Sequence, residues 1–199
     1  MAAELGAYSC VLKIGEVLDT PGDTWLDLMI ESYPAVSDFV LNRAQIRAWV
    51  DEYAVLQRAF RELPAGYREL DVVFEYVIPQ NRPLGEAPDP ASWIRPDAVI
   101  LSADTVLILE FKQRVEDERW QQRPAQKYRK SIKRYHLASR RMRKRSVLVL
   151  TKQRGYLEHY PGLDSCSPDK LATVMRDCLE DGCRPHPDVF GWLGSDFGL

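Results

Sequence analysis

The chain has 199 residues, of which 45% are hydrophobic and 28% charged, with a formal net charge of -2. That length suits one domain with a real core, and the overall charge balance by itself names no partner. There is no run of about 18 apolar residues and no charged start followed by an apolar stretch. Four cysteines (Cys10, Cys166, Cys178, Cys183) are too few for a disulfide scaffold at this length. A membrane-spanning protein and a disulfide-stapled secreted domain are thereby set aside, and a reduced, cytoplasmic setting is expected.

Hydrophobic spacing predicts the elements in chain order, beginning with a helical N-terminal region at about 1–66. Within it, "NRAQIRAWVDEYAVLQRAFRELPAG" places Ile46, Trp49, Val50, Tyr53, Leu56, Phe60 and Leu63 at helical spacing. Asn42 and Gln45 form a capping pair at its start, and Pro64 with Gly66 stops it. "ELDVVFEYVIP" alternates, with Val72, Phe74, Tyr76 and Ile78 on one face and Val73, Glu75 and Val77 on the other. It predicts a strand ended by Pro79. "QNRPLGEAPDPASW" is a Pro/Gly-rich loop, and "DAVIL" and "TVLILEF" are short strands around the turn "SADT".

"PAQKYRKSIKRYHLASRR" predicts a helix with Tyr128, Ile132, Tyr135 and Ser139 on one stripe and Pro124 near its first turn. "SVLVLTK" is a further strand. "SPDKLATVMRDCLEDG" is a punctuated helix, with Ser167 as N-cap, Pro168 in first position and Gly182 just past the end. The tail "RPHPDVFGWLGSDFGL" is irregular. Helix, strand, hairpin, helix, strand, helix predicts an α/β fold, a mixed β-sheet flanked by helices. The chain is expected to be one domain over 1–199: the N-terminal helical extension, a core at about 70–152, and a C-terminal helix and tail at about 165–199.

Positive charge is concentrated in one place. From Arg123 to Arg145 there are 11 Lys or Arg in 23 residues and no acid, which leaves 16 basic residues against 29 acids elsewhere, a net of -13. That is the footprint of a protein that binds a phosphate backbone. A solvated helix face usually interleaves the two signs at i, i+4. The candidate contacts are Arg123, Lys127, Arg129, Lys130, Lys133, Arg134, Arg140 and Arg141. Core packing is the favoured role of Tyr128 and Tyr135, over stacking on nucleic acid.

Charge also interrupts the apolar strand "TVLILEFK". Glu110 and Lys112 share a face with Val106 and Ile108. A two- or four-residue loop at "SADT" sets Asp97 opposite Glu110, with β-carbons about 4.5–5.5 Å apart. A three-residue loop sets Leu109 there instead. Two carboxylates at that distance repel, and a divalent cation between them reverses the sign. Hard oxygen ligands of this kind suit Mg²⁺ or Mn²⁺. Cys178, Cys183 and His186, with Cys166 or His159, only loosely imitate zinc spacing. No Cys/His or Ser/His nucleophile arrangement and no GxxxxGK[ST] phosphate loop stands out.

"RPDAVIL…VLILEFK" resembles the PD-(D/E)XK nuclease superfamily, which has the restriction-endonuclease-like fold. Asp97 matches the acid of its second motif, and Glu110 with Lys112 the third. The resemblance implies a mixed-sheet core whose acids bind a metal (Mg²⁺ or Mn²⁺) that activates water for phosphodiester hydrolysis, with the Lys orienting that water. It also implies a further acid, either Glu52 or Glu62 on the first helix or, preferred, Glu75 on the first strand. Gln113 either reaches substrate or ends its strand, the latter favoured.

More narrowly, "FEYVIP", "RPDAVIL", "LILEFK" and the downstream Tyr and His resemble a nuclease-like domain at the front of some bacterial helicase-containing proteins. That group carries a Gln four residues before the Tyr. Here Pro124 holds that position, with Gln122 and Gln126 the nearest glutamines. The resemblance implies a nuclease acting on nucleic acid, more specifically DNA, in bacterial antiviral defence or DNA processing. It leaves room for a helicase or ATPase partner and for a homodimer, and it implies no membrane. The alternative is a catalytically idle module of the same fold that binds nucleic acid or docks a partner such as a helicase.

Overall fold

A computed structural model of the chain describes residues 8–33, 41–78, 94–113, 118–180 and 184–194. Seven strands form one sheet: β1 (Cys10–Lys13), β2 (Asp71–Phe74), β3 (Ala98–Leu101), β4 (Thr105–Lys112), β5 (Arg143–Leu150), β6 (Leu157–Tyr160) and β7 (Leu163–Cys166). Their order across the sheet is β1-β2-β3-β4-β5-β7-β6. β5 pairs in parallel with β4 and with β7, and every other pairing is antiparallel. The helices are α1 (Ile14–Asp19), α2 (Gly22–Ser32), α3 (Arg43–Arg61), α4 (Glu118–Tyr135), α5 (Leu171–Leu179) and α6 (Val189–Leu193). The fold is therefore α/β, a mixed sheet flanked by helices.

β4 explains the layering. It is apolar on both faces because both are covered: Leu107, Leu109 and Phe111 join the core beneath α1, α2, α3 and α5, while Val106 and Ile108 join the core beneath α4 and α6. A parallel partner for β4 needs a crossover, and α4 supplies it. On the α3 face Trp25 stacks on Tyr53 with ring centroids 4.7 Å apart. The Tyr53 hydroxyl and the Gln57 side-chain amide donate to the Val17 carbonyl at 3.0 and 2.6 Å, satisfying an acceptor near the end of α1. Asn42 caps α3 as its spacing predicts, accepting from the N–H groups of Ala44 and Gln45 at 2.9 and 3.0 Å.

Several expectations are corrected. The N-terminal region is not wholly helical, because Cys10–Lys13 adds β1 to the sheet edge beside β2. β2 stops at Phe74, since Glu75 adopts a left-handed backbone with φ +52. That residue reverses the alternation of side chains. Val72 and Phe74 face α3, but Tyr76 and Ile78 fall on the α4 side and Val77 on the α3 side. α4 begins at Glu118, so Pro124 lies inside it rather than in its first turn and brings no N–H to the ladder. Tyr128 and Ile132 are buried against the sheet, while Ser139 lies beyond the helix end. The β6–β7 hairpin was not legible as strands.

Ser167–Pro168 opens a short 3₁₀ turn, and α5 follows at Leu171. The Ser167 hydroxyl does not cap it: it accepts from the Tyr156 N–H at 3.0 Å and meets Asp169 at 2.7 Å. Glu180, at φ +61, ends α5. Gly182 and the expected loop at 80–93 lie outside the described residues.

The tail is not all irregular, because α6 inserts Trp192 into the α4-side core. Its Nε1–H donates to Ser139 Oγ at 2.9 Å, and its carbonyl contacts His136 Nε2 at 3.0 Å. A carbonyl can only accept, so His136 carries its proton on Nε2 and takes the Ser139 hydroxyl on Nδ1, 2.8 Å away. Burial lowers the His136 pKa to about 4, consistent with that neutral ring. Among the described residues no helix is long and apolar enough to cross a membrane.

Candidate active site

The Ser102 N–H donates to the Thr105 carbonyl at 3.0 Å, closing a two-residue loop of Ala103 and Asp104. The hairpin register then pairs Ala98 with Leu109, and one step further sets Asp97 opposite Glu110. The Phe111 N–H donates to Asp97 Oδ2 at 2.6 Å. Asp97 and Glu110 lie close enough for each carboxyl to act on the other's protonation. Lys112 Nζ lies 2.5 Å from Glu110 Oε1, and the Tyr128 hydroxyl on α4 faces the same carboxyl. Glu110 Oε2 is buried and meets no hydrogen-bond partner. An orphaned buried acceptor of this kind needs an explanation, and a role as a cation ligand is one.

Two more acids face this space. Glu75 is 2% exposed; its Oε1 accepts from Trp49 Nε1–H at 2.7 Å and its Oε2 lies 2.5 Å from Arg95 Nε. Its backbone N–H donates to the Asp97 carbonyl at 3.1 Å, so it ties β2 to the head of β3. Glu52, on α3, is buried and feels Asp97, Glu75 and Glu110. Glu62 points elsewhere, exposed and 3.6 Å from Arg58. Gln113, at the end of β4, is exposed; with Ala48, Asp51, Glu52, Phe111, Lys112 and Thr151 it lines a cleft of about 40 Å³.

Crowding of acids in a dry place shifts their protonation. Burial first, then Asp97, raises Glu110 to about 8 against the pull of Lys112 and Tyr128. Burial and Asp97 raise Glu75 to about 7, opposed by Arg95 and Trp49. Burial raises Asp97 and Glu52 too, the latter well above its ordinary value. Burial alone would lower Lys112, yet Glu110 and Asp97 hold it above its usual value. Catalytic sites arrange acids in this way, and ion-pair networks inside a fold shift them in the same sense.

Among the described residues no group of three or more His, Cys, Asp or Glu is arranged to hold a metal ion. The fit therefore rests on two carboxylates, Asp97 and Glu110, one with a free buried oxygen. That matches Mg²⁺, which keeps several waters and takes few protein ligands. The loosely zinc-like residues are otherwise engaged: Cys166 and Cys178 are buried, Cys178 Sγ meets Asp164 at 3.4 Å, and His159 pairs with Asp164 at 2.7 Å. Cys183 lies outside the described residues. No protein-family model matches the chain, and no curated protein matches it in sequence.

The basic run divides along the sheet. Lys127, Lys130 and Lys133 are exposed on α4. Arg129 is partly buried, donates to the Pro161 carbonyl at 3.3 Å and lies over Gly162, where an added β-carbon would come within 2.0 Å of it. Arg140 and Arg141 are exposed in the turn before β5. That turn is at the end of the sheet remote from the carboxylates, because Arg143 pairs with Thr105 while Leu150 pairs with Lys112. Seven strand steps at about 3.3 Å separate the two ends by about 23 Å. Arg143 pairs with Asp104 and Glu180, and Arg145 with Asp164 at 2.7 Å. The side chains of Arg123, Arg134 and Tyr135 lie outside the described residues.

Glu52 had a legible signal: it shares the stripe of Trp49, Tyr53 and Leu56, where a carboxylate is buried. The partners of Glu75, Trp49 and Arg95, had none, since nothing in the spacing announces a left-handed turn at a Glu.

Proposed function

We propose that the chain is a Mg²⁺- or Mn²⁺-dependent nuclease of the PD-(D/E)XK class, hydrolysing phosphodiester bonds of nucleic acid, DNA first, in bacterial defence or DNA processing. The supporting observation is Asp97 opposite Glu110 across the hairpin, with Lys112 at hand and Glu110 Oε2 unmet. A divalent cation bound there would supply the charge that activates water and offsets the developing negative charge at phosphorus. Asp97 and Glu110 would hold it. Lys112 would turn from Glu110 to orient the attacking water, and Tyr128 would keep the Glu110 carboxyl in place. Glu75, neutralised by Arg95 and steadied by Trp49, supports the head of β3, while Glu52 faces the cleft as the further acid. The basic face of α4 would hold the nucleic-acid backbone. A helicase or ATPase partner, and pairing of two copies to cut both strands, belong to the same proposal.

The test is a cleavage panel of single- and double-stranded DNA and RNA in Mg²⁺, Mn²⁺ and chelator. Cleavage should appear with either cation and vanish with chelator and in Asp97→Asn. If no substrate is cut in either metal, the proposal fails. A second reading, an idle module that binds nucleic acid or docks a partner, draws support from the ammonium already seated on Glu110. It predicts binding without cutting.

A further inference from the structure

Basic residues on the carboxylates' end of the sheet are not confined to the 123–145 run. β5 ends beside Lys112, and Thr151 donates both its N–H, at 2.8 Å, and its hydroxyl, at 3.3 Å, to the Lys112 carbonyl. The turn that follows, "TKQRG" over 151–155, carries Lys152 and Arg154, both exposed. It is held rigidly. The Gln153 N–H donates to the Leu150 carbonyl at 3.0 Å, and the Gly155 N–H, at φ +65, donates to the Asp169 carboxylate at 3.1 Å. From this turn Lys152 reaches over to α3 and pairs with Asp51 at 3.3 Å, Asp51 being itself a wall of the cleft beside Glu52 and Lys112.

An acidic cleft repels a polyanion unless cations stand within a Debye length, about 8–10 Å at ordinary salt. Arg140 and Arg141 are too distant to serve, at about 23 Å by strand rise. The Lys152–Asp51 pair has side chains 54% and 44% exposed, and a pair so open to water is weak and easily exchanged. An ammonium offers three donors as a compact point charge, which suits a phosphate oxygen.

We propose that Lys152 and Arg154 form a phosphate-binding subsite for nucleic acid at the mouth of the cleft that Asp51, Glu52 and Lys112 line, with Asp51 holding Lys152 until a backbone phosphate replaces it. The subsite rests on the nuclease reading for the identity of its ligand. It places the substrate backbone between α3 and the turn after β5, one step from Lys112.

The experiment measures binding of a fluorescent oligonucleotide across a salt series, together with cleavage kinetics, for wild type, Lys152→Ala, Arg154→Ala and Asp51→Asn. Removing either cation should weaken binding several-fold at low salt and reduce the salt slope by about 0.7–0.9. KM should rise with kcat nearly unchanged, and Asp51→Asn should bind more tightly. A wild type that binds and cuts, with both alanine variants matching its affinity and slope, overturns the subsite and leaves the nuclease reading standing. A wild type that binds but cuts nothing overturns the nuclease reading, while weaker binding by the same variants still upholds the subsite. Absence of any nucleic-acid binding overturns both.

Discussion

Replacing Glu110 with Gln tests the central contact through stability, independently of activity. Burial and the Asp97 charge raise the Glu110 carboxyl from 4.5 to about 8. A carboxyl whose folded value is raised stays protonated in the fold while the unfolded chain ionises. Its contribution is therefore undiminished below about pH 4.5, is lost progressively as pH climbs to about 8, and levels off above. At about 1.4 kcal/mol per pH unit the full rise corresponds to roughly 5 kcal/mol. Asp97 and Lys112 titrate together with Glu110, which leaves roughly 2 kcal/mol to one substitution. For a chain of this size that is a gain of about 4–8 °C in Tm near pH 9, shrinking towards zero near pH 4. The assay is thermal unfolding by circular dichroism in chelator across that range. A Glu110→Gln protein melting well below wild type near pH 9 would refute the reasoning, because the carboxylate would then be ionised and satisfied by Lys112. With Mg²⁺ at about 100 times Kd the wild type should gain roughly 2.7 kcal/mol and the variant far less.

Asp97→Asn should lose both cleavage and the Mg²⁺-induced rise in Tm, whereas Lys112→Ala should lose cleavage alone, since an ammonium adds nothing to coordination; gel assays beside melts separate the two. Reversing charge at Lys127, Lys130 and Lys133 should weaken nucleic-acid affinity about evenly across sequences and flatten the salt slope by about 0.9 for each phosphate left without its lysine. An unchanged slope in fluorescence anisotropy would make that face merely solvated. Glu75→Ala should cost about 2–4 kcal/mol in urea unfolding by stranding the Trp49 N–H and breaking the ion pair to Arg95, and Glu75→Gln, which keeps an acceptor for Trp49, should cost less. Trp192→Ala should destabilise by about 3–5 kcal/mol in the same assay, because it empties the α4-side core and strips Ser139 of a donor.

What the sequence made legible was what local chemistry decides. Apolar runs around "SADT" specified a hairpin and period two put Glu110 and Lys112 on one face, while Asp97 joined them only for a two- or four-residue loop. Asn42 announced its cap because an Asx side chain beside free N–H groups has few better partners. Where tertiary contacts decided, spacing failed. "CVLK" is too short to declare itself, and becomes β1 only because β2 offers an edge. β6 and β7 are four residues each, with polar positions, and are held by pairing. Glu75 looked like one more alternating residue, yet its left-handed backbone sends Tyr76 and Val77 to the cores opposite to those that alternation assigned them. Pro124 looked like a helix start and proved to be an interior residue. Tyr128 was assigned to packing at helical spacing, and it is buried, but its hydroxyl also faces Glu110.

The hairpin loop has a consequence far from where it sits. Ala103 and Asp104 lie at the end of β4 opposite to Lys112, touch none of the acids, and would pass as ordinary surface. Yet their number sets which residue faces Asp97. The same residues closed by a three-residue loop would slide β4 past β3 by a step, present Leu109 in place of Glu110, and turn the carboxylate and Lys112 into the apolar layer beneath α3. Side chains in that loop are free to vary within what Ser102 and Arg143 tolerate, but the place where it closes is not. The closure works as a ruler for the other end of the strands, and a shift in where it falls would part Asp97 from Glu110 while every acid remained in the sequence.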